Sequence, residues 1–194
     1  MTRFALTLPL LMFLWLPVAH AEEVDPPPDQ PVNQDGYTAE EIYSVASDFF
    51  GNTTEGVAKV IERVFAEQGR PVAYIVGEEA SGAIGVGLRY GRGQLTYNDG
   101  ASMPVYWQGP SIGWDFGGNA SKVMTLVYKL RHTQDLFQRY PGVDGSLYFI
   151  AGAGVNYQKS GEITLAPIRT GVGLRAGASV GYLHYTRKES WLPF

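Results

Sequence analysis

The chain of 194 residues carries 15 Lys and Arg against 19 Asp and Glu, a formal net charge of −4 at pH 7. This mild acidity argues against a nucleic-acid-binding protein, which needs a basic patch or stripe. The sequence contains no Cys, which excludes a disulfide framework, so the stability of the fold must come from burial of apolar groups.

The first 21 residues are typical of a secretory signal peptide. Arg3 supplies the positive start, residues 4–18 are mostly apolar, and Ala19-His20-Ala21 fits the small-x-small cleavage pattern. A membrane-anchoring helix is the alternative, but the apolar run is shorter than the roughly 20 residues that a span needs. We therefore predict export to the periplasm, removal of residues 1–21 and no transmembrane insertion of the mature chain.

Residues 22–36 are rich in Pro, Asp and Gln, and they include Pro26, Pro27 and Pro28 in a row. Such a composition buries too little apolar surface to order itself. It predicts an extended, disordered tether. The remaining residues, 37–194, are enough for a single domain with a hydrophobic core of its own.

Two amphipathic helices are predicted at the start of this domain. Thr38 as N-cap and Glu41 three residues later match the capping box, apolar residues follow at helical spacing, and Gly51 marks the end. The second helix is predicted to begin near Thr54 and to end at Gly69. The first helix has no Lys or Arg and the second has two, too few for a membrane-surface helix. Packing against the strands is therefore expected.

The rest of the chain predicts eight to ten short strands with short connections, which is typical of a barrel or sandwich. Hairpin turns are predicted at Gly91-Arg92-Gly93 and Asn98-Asp99-Gly100, and a short helix over residues 133–140. The predicted strands span residues 72–75, 83–90, 94–97, 104–108, 112–116, 122–130, 147–157, 162–166 and 171–185. Because closure would remove exposed sheet edges, we expect a mainly β fold: a small closed antiparallel β-barrel with two or three flanking helices.

A repeat of five residues, Gly-Val-Gly-Leu-Arg, occurs at 85–89 and again at 171–175. Side chains alternate across a strand, so each copy has one apolar face and one nearly bare face. Strand glycines usually mark a bend or the close approach of another backbone. We expect the apolar faces to fill the barrel, and the bare faces to let it curve tightly or let the helices sit close. The apolar residues are Val86, Leu88, Val172 and Leu174, and the glycines are Gly85, Gly87, Gly91, Gly171, Gly173 and Gly177.

The motifs predict no catalytic, metal or cofactor site. The Gly85-x-Gly87 run is not followed by a helix whose N-terminus could hold a pyrophosphate. The two histidines of the mature chain lack metal-ligand spacing. Neither a Cys nucleophile nor a Gly-x-Ser-x-Gly elbow is present. We therefore expect a non-enzymatic protein without a cofactor.

Three residues remain as candidates for contact with a ligand or partner: Trp107, Trp114 and Asp115. Among the carboxylates considered for catalysis, Glu78 and Glu79 should point to opposite faces of a strand, and Asp115 alone lies in an otherwise apolar, aromatic segment. Its simplest interpretation is a strand residue bonded to nearby backbone. A lipid-facing barrel would need aromatic girdles and long alternating segments, and the terminal Phe194 does not make an outer-membrane insertion signal, because Pro193 breaks the alternation before it. This favours a barrel in solution with an apolar interior.

The order of these elements is similar to that of known families. The run Ser-Ile-Gly-Trp-Asp-Phe-Gly-Gly-Asn-Ala-Ser-Lys-Val-Met-Thr-Leu-Val-Tyr-Lys-Leu at 111–130 resembles the SYLF domain's Gly-aromatic strand, polar turn and apolar strand. A short helix and a Gly-Ala strand then follow, as in SYLF domains. The export signal, Pro-rich tether, two helices and Gly85-Val-Gly-Leu-Arg-Tyr-Gly91 are similar to the envelope integrity protein A family of Gram-negative bacteria. This resemblance covers about residues 37–185.

The resemblance implies a roughly ten-stranded antiparallel barrel in the periplasm that supports cell-envelope integrity. Its partner would be an envelope lipid or a periplasmic or outer-membrane protein. SYLF domains elsewhere bind phospholipids through segments outside this core pattern, so no lipid-binding residue is carried over. Two alternatives remain open. One is a carrier of an apolar ligand within the barrel, as in lipocalins, and the other is a wall-active hydrolase, for which Asp115 is the one candidate.

Overall fold

The computed structural model describes residues 29–51, 55–115, 121–170 and 181–190, with the side chains of 81–86 and 111–115 left out. Within these residues the chain forms two helices followed by nine strands and one short 3-10 helix. The helices are α1 (Ala39–Phe50) and α2 (Glu55–Gln68), and the 3-10 helix is Thr133–Leu136. The strands are β1 (Ala73–Tyr97), β2 (Ser102–Asp115), β3 (Ser121–Tyr128), β4 (Arg139–Pro141), β5 (Tyr148–Ile150), β6 (Ala153–Val155), β7 (Gln158–Ser160), β8 (Ile163–Thr170) and β9 (Tyr182–Thr186).

All nine strands belong to one antiparallel sheet. Their order is β4-β9-β2-β1-β3-β8-β6-β5, and β7 pairs with β8 beside this path. The long strand β1 pairs with two different neighbours. Its first arm, Ala73 to Glu79, pairs with β3, and its second arm, Ala83 to Thr96, pairs with β2. The prediction of a mainly β fold is confirmed, in the form of a half-barrel-like sheet with two helices.

The helices begin and end where the sequence predicted. The Thr38 backbone N–H donates to Glu41 Oε2 over 2.7 Å, and the Glu41 N–H donates to Thr38 Oγ1 over 3.2 Å. Gly51 ends α1 in the left-handed conformation, with φ of 75°, which glycine adopts at little cost. Among the described residues, none of the helices combines the length and apolar character needed to cross a bilayer.

Apolar residues fill both faces of the central strands. On one face, α1 and α2 pack against β3, β6 and β8, where Met124, Leu126, Val155 and Ile168 are buried. On the other face, Ile75, Leu95, Val105, Val123, Leu165 and Tyr185 belong to a second buried cluster inside the curve of the sheet. Because both faces of β3 are covered, all of its residues from Val123 to Tyr128 are buried. The predicted packing of helices on strands is confirmed.

The predicted turn at Gly91-Arg92-Gly93 is wrong, because these residues lie within the continuous strand β1. Gly93 serves a close approach of backbones. The two arms of β1 pass so closely that an added Cβ on Gly77 would overlap the Arg92 carbonyl, and one on Gly93 would overlap the Val76 carbonyl. The turn at Asn98-Asp99-Gly100 is confirmed, since the Gly100 N–H donates to the Tyr97 carbonyl over 2.9 Å.

Two other predicted elements have different boundaries in the structure. The predicted helix over residues 133–140 is a single 3-10 turn, Thr133–Leu136, followed by β4. The predicted strand over 147–157 is interrupted at Ala151 and Gly152, whose φ angles are 46° and 82°, so it becomes the hairpin of β5 and β6. A positive φ at two successive residues forms the tight turn between those strands.

The predicted disordered tether is wrong for its second half, residues 29–36, while residues 22–28 lie outside the described chain. The Val32 N–H donates to the Arg131 carbonyl over 2.8 Å, Pro31 forms a bridge with His132, and the Val32 side chain is 8% exposed. One apolar anchor and a short run of backbone pairing therefore hold this segment against the domain.

Candidate functional site

Charged side chains are buried inside the curve of the sheet. Glu79 is 5% exposed, Arg89 is 9% exposed and Arg169 is 8% exposed. Buried charges are costly unless they are paired and hydrogen-bonded, so this group needs a specific arrangement. We refer to Glu79, Arg89, Trp107 and Arg169 as the buried charge cluster.

The Glu79 carboxylate is the centre of this cluster. Arg169 Nε and Nη2 donate to Glu79 Oε1 and Oε2 over 3.0 and 3.1 Å, the bidentate geometry that suits a guanidinium and a carboxylate. Trp107 Nε1 donates to Oε2 over 2.8 Å, and Arg89 Nε lies 3.2 Å from Oε1. Each carboxylate oxygen thus has two cationic or polar partners.

The cluster joins four stretches of chain. The first arm of β1 supplies Glu79, its second arm supplies Arg89, β2 supplies Trp107 and β8 supplies Arg169. Because β2 and β8 lie on opposite sides of β1 and β3 in the sheet, these contacts cross the inside of the curve. The cluster therefore connects β2 with β8, two strands that no backbone ladder joins among the described residues.

Space for the Trp107 indole comes from a glycine. Gly91 is the cross-strand partner of Trp107, and an added Cβ on Gly91 would overlap the indole ring. Trp107 is 2% exposed and lies 6.0 Å from the Tyr185 ring between centroids. The Trp107 ring therefore covers the glycine-rich face of β1 at Gly91. The sequence predicts tight curvature or a closely packed helix there.

The prediction that Leu88 fills the interior is wrong. Leu88 is 39% exposed, whereas Arg89 beside it is buried, so the glycine-rich face of this strand points inward. The physical reason is that the Glu79 carboxylate requires a buried cation, and the alternation of side chains then forces Leu88 outward. Several other residues of this prediction lie outside the described chain: Gly171, Val172, Gly173, Leu174 and Gly177. The side chain of Val86 is also outside the described part.

The electrostatic environment keeps Glu79 ionised. Burial alone would raise the pKa of its carboxyl, but the charges of Arg169 and Arg89, with hydrogen bonds from Arg169 and Trp107, lower it from 4.5 to about 2. Burial likewise raises the pKa of the Tyr185 hydroxyl, which stays neutral beside the cluster. Glu79 is therefore a buried carboxylate whose two oxygens are both fully paired with cationic or hydrogen-bonding side chains.

The structure places the residues singled out from the sequence as follows. Glu78 is exposed and Glu79 is buried, on opposite faces as expected. Trp107 belongs to the buried charge cluster. Trp114 and Asp115 lie on β2, paired with Ile84 and Ala83, and their side chains are outside the described part.

Sequence reasoning missed the partner of Glu79. The signal for Arg169 was available, because a lone Arg follows the buried run Ile163 to Ile168 in β8, and an arginine in such a run needs a buried anion. Within the described ranges, no group of three His, Cys, Asp or Glu side chains is arranged to hold a metal ion.

We expect thermal stability to fall as the pH drops from about 4.5 towards about 2. A carboxyl with a lowered folded-state pKa contributes stability that is present above the unfolded value and is lost as the pH falls through the folded value. The shift for Glu79 corresponds to about 3 kcal/mol at neutral pH. Calorimetric melting temperatures across this pH range check the prediction. Replacing Glu79 by Gln should make the decline shallower, and equal declines would contradict it.

Comparison with known proteins agrees with the fold. The family model described as Envelope integrity protein A matches residues 35–194. The chain is also similar to a crystal structure described as a beta-barrel-like, uncharacterized protein from Brucella abortus. The two are 50% identical with a TM-score of 0.76, and the match covers 82% of this chain and 99% of that chain. Among curated proteins, none matches.

Proposed function

Because the chain belongs to the envelope integrity protein A family, we propose that it is a non-enzymatic periplasmic protein that maintains the cell envelope. Its partner would be an envelope lipid or a periplasmic or outer-membrane protein. The family match confirms the sequence resemblance to the envelope integrity protein A family. The signal-like residues 1–21 support export, and they lie outside the described chain.

The non-enzymatic part of the proposal rests on Glu79, because both of its carboxylate oxygens already accept hydrogen bonds from buried side chains. A general acid or base must present its oxygen to a substrate and have a pKa near the working pH. Glu79 is 5% exposed, both of its oxygens accept bonds from neighbouring side chains, and its pKa lies near 2. Such a carboxylate supports a structural role better than a catalytic one.

The packing of the described strands favours an envelope scaffold over a carrier of an apolar ligand. A carrier of the lipocalin type needs an open interior. Inside the curve of this sheet, side chains such as Leu95, Val105 and Leu165 are fully buried against one another, and the buried charge cluster occupies the neighbouring space. Closure into a barrel of eight to ten strands and likeness to SYLF domains stay predictions.

Deleting the gene should sensitise cells to detergents and to wall-targeting antibiotics. A copy of the full chain should restore resistance, whereas a copy without residues 2–21, retained in the cytoplasm, should fail. Plating efficiency on graded concentrations of these agents provides the measurement. Unchanged sensitivity of the deletion strain, or rescue by the cytoplasmic copy, would overturn the proposal.

A further inference from the structure

A groove of about 270 Å³ lies over β1, β2 and β9, close to the lower end of the roughly 300–1,000 Å³ usual for small-ligand sites. Two rows of paired residues cross these strands. In one row Arg92 pairs with Tyr106, and Tyr106 pairs with Thr186. In the next row Tyr90 pairs with Gln108. All five residues line the groove, and their register places them on one face of the sheet.

The two tyrosines give the groove aromatic walls. Tyr90 and Tyr106 are both half-buried, and they lie on adjacent strands at diagonal positions of the same face. Such side chains combine a flat apolar ring with a polar hydroxyl. They suit a ligand that has apolar ring faces and a polar rim.

Uncharged polar groups complete the lining. Gln108 is 3% exposed, and Thr186 and Ser190 bring hydroxyl groups from β9 and the segment after it. Amide and hydroxyl groups both donate and accept hydrogen bonds. The Thr186 hydroxyl donates to the Lys188 carbonyl over 2.9 Å and keeps its lone pairs as acceptors. The lining therefore matches a ligand that carries many hydroxyl groups.

The charges of the groove disfavour an anionic ligand. Glu78 and Glu189 contribute two carboxylates and Arg92 one guanidinium. A phosphate or other anion would meet net negative charge there, and like charges at close range are repulsive. An acyl chain would leave the two carboxylates facing apolar surface, which is costly.

We propose that this groove binds an uncharged oligosaccharide, with Tyr90 and Tyr106 stacking on the sugar rings and Gln108 and Thr186 bonding their hydroxyls. This ligand is distinct from the lipid or protein partner of the proposed function, and the inference rests on that function because it adds an envelope glycan to those partners. It places the saccharide in the groove over β1, β2 and β9, whose floor includes Trp107 of the buried charge cluster.

Titration of the purified exported protein with an N-acetylglucosamine tetramer or a glucose tetramer tests the proposal. Backbone NMR shifts should concentrate at Tyr90, Tyr106 and Thr186 for at least one of the two saccharides. Calorimetry should show that Tyr106→Ala weakens binding about tenfold, while Tyr106→Phe, which keeps the ring, stays within about threefold. Tyr148→Ala, which changes a half-buried tyrosine on β5, is the matched control and should bind like wild type.

The outcomes separate this inference from the envelope role. Lack of response to both saccharides, or shifts confined to another surface, would overturn the inference even if deletion still sensitised cells. Binding of anionic phospholipid vesicles in place of the saccharides would also overturn it. If Tyr106→Ala does not fold, the NMR map of the wild-type protein decides alone.

Discussion

Replacing Glu79 by Gln should lower the free energy of unfolding by about 3–5 kcal/mol, the usual cost of removing one partner from a buried ion pair. The substitution keeps the size of the side chain and removes its charge. Arg169 and Arg89, 8% and 9% exposed, would then be buried without an anion between them. The melting temperature should drop by roughly 10 °C in a domain of this size.

Glu78→Gln is the matched control, since Glu78 is the adjacent residue of the same strand and is exposed. It should change stability by no more than about 0.5 kcal/mol. A second substitution, Arg169→Met in the Glu79→Gln background, should recover part of the loss, because the two groups are directly bonded and their effects are not additive. Equal stability of the Glu78 and Glu79 variants would contradict the structural role of the cluster.

Trp107→Ala should cost about 3–5 kcal/mol, as is usual when a buried aromatic side chain is removed. The indole is 2% exposed and covers Gly91. Its Nε1–H donates a hydrogen bond to Glu79 Oε2 over 2.8 Å. Trp107→Phe should cost about 1–3 kcal/mol, because it keeps most of the ring but leaves Glu79 Oε2 without that donor. Urea unfolding of both variants provides the measurement.

The control for this prediction is Tyr106→Ala, because Tyr106 precedes Trp107 on β2 and its half-buried side chain lies on the other face. We expect it to cost about 1 kcal/mol or less. If Trp107→Ala costs no more than Tyr106→Ala, the indole does not support the inner face of the sheet.

Local signals predicted the elements that depend on local chemistry. The capping box of Thr38 and Glu41 and the turn at Asn98-Asp99-Gly100 are confirmed because their hydrogen bonds form between residues within three positions of one another. The helical faces were equally clear from the spacing of apolar residues. Residues 29–36 were not predictable from composition, since their order depends on backbone contacts with distant residues such as Arg131.

The inward face of β1 could not be chosen from alternation alone. The alternation predicts that the Leu88 and Arg89 side chains point to opposite faces of the strand. It does not predict which of these faces is buried. That choice depends on Glu79 and Arg169, which contact each other across 90 residues of sequence. The alternation predicts a bare face at the strand glycines, whereas Gly91 makes room for the Trp107 indole.

The most direct test of the structural role of Glu79 is complementation of the deletion strain by Glu79→Gln. Cells should be grown at a temperature at which immunoblots show wild-type levels of the folded variant. Under these conditions we predict full restoration of resistance to detergents and wall-targeting antibiotics, since the carboxylate acts only by holding the fold. Folded Glu79→Gln protein at wild-type level that fails to restore resistance would contradict this account.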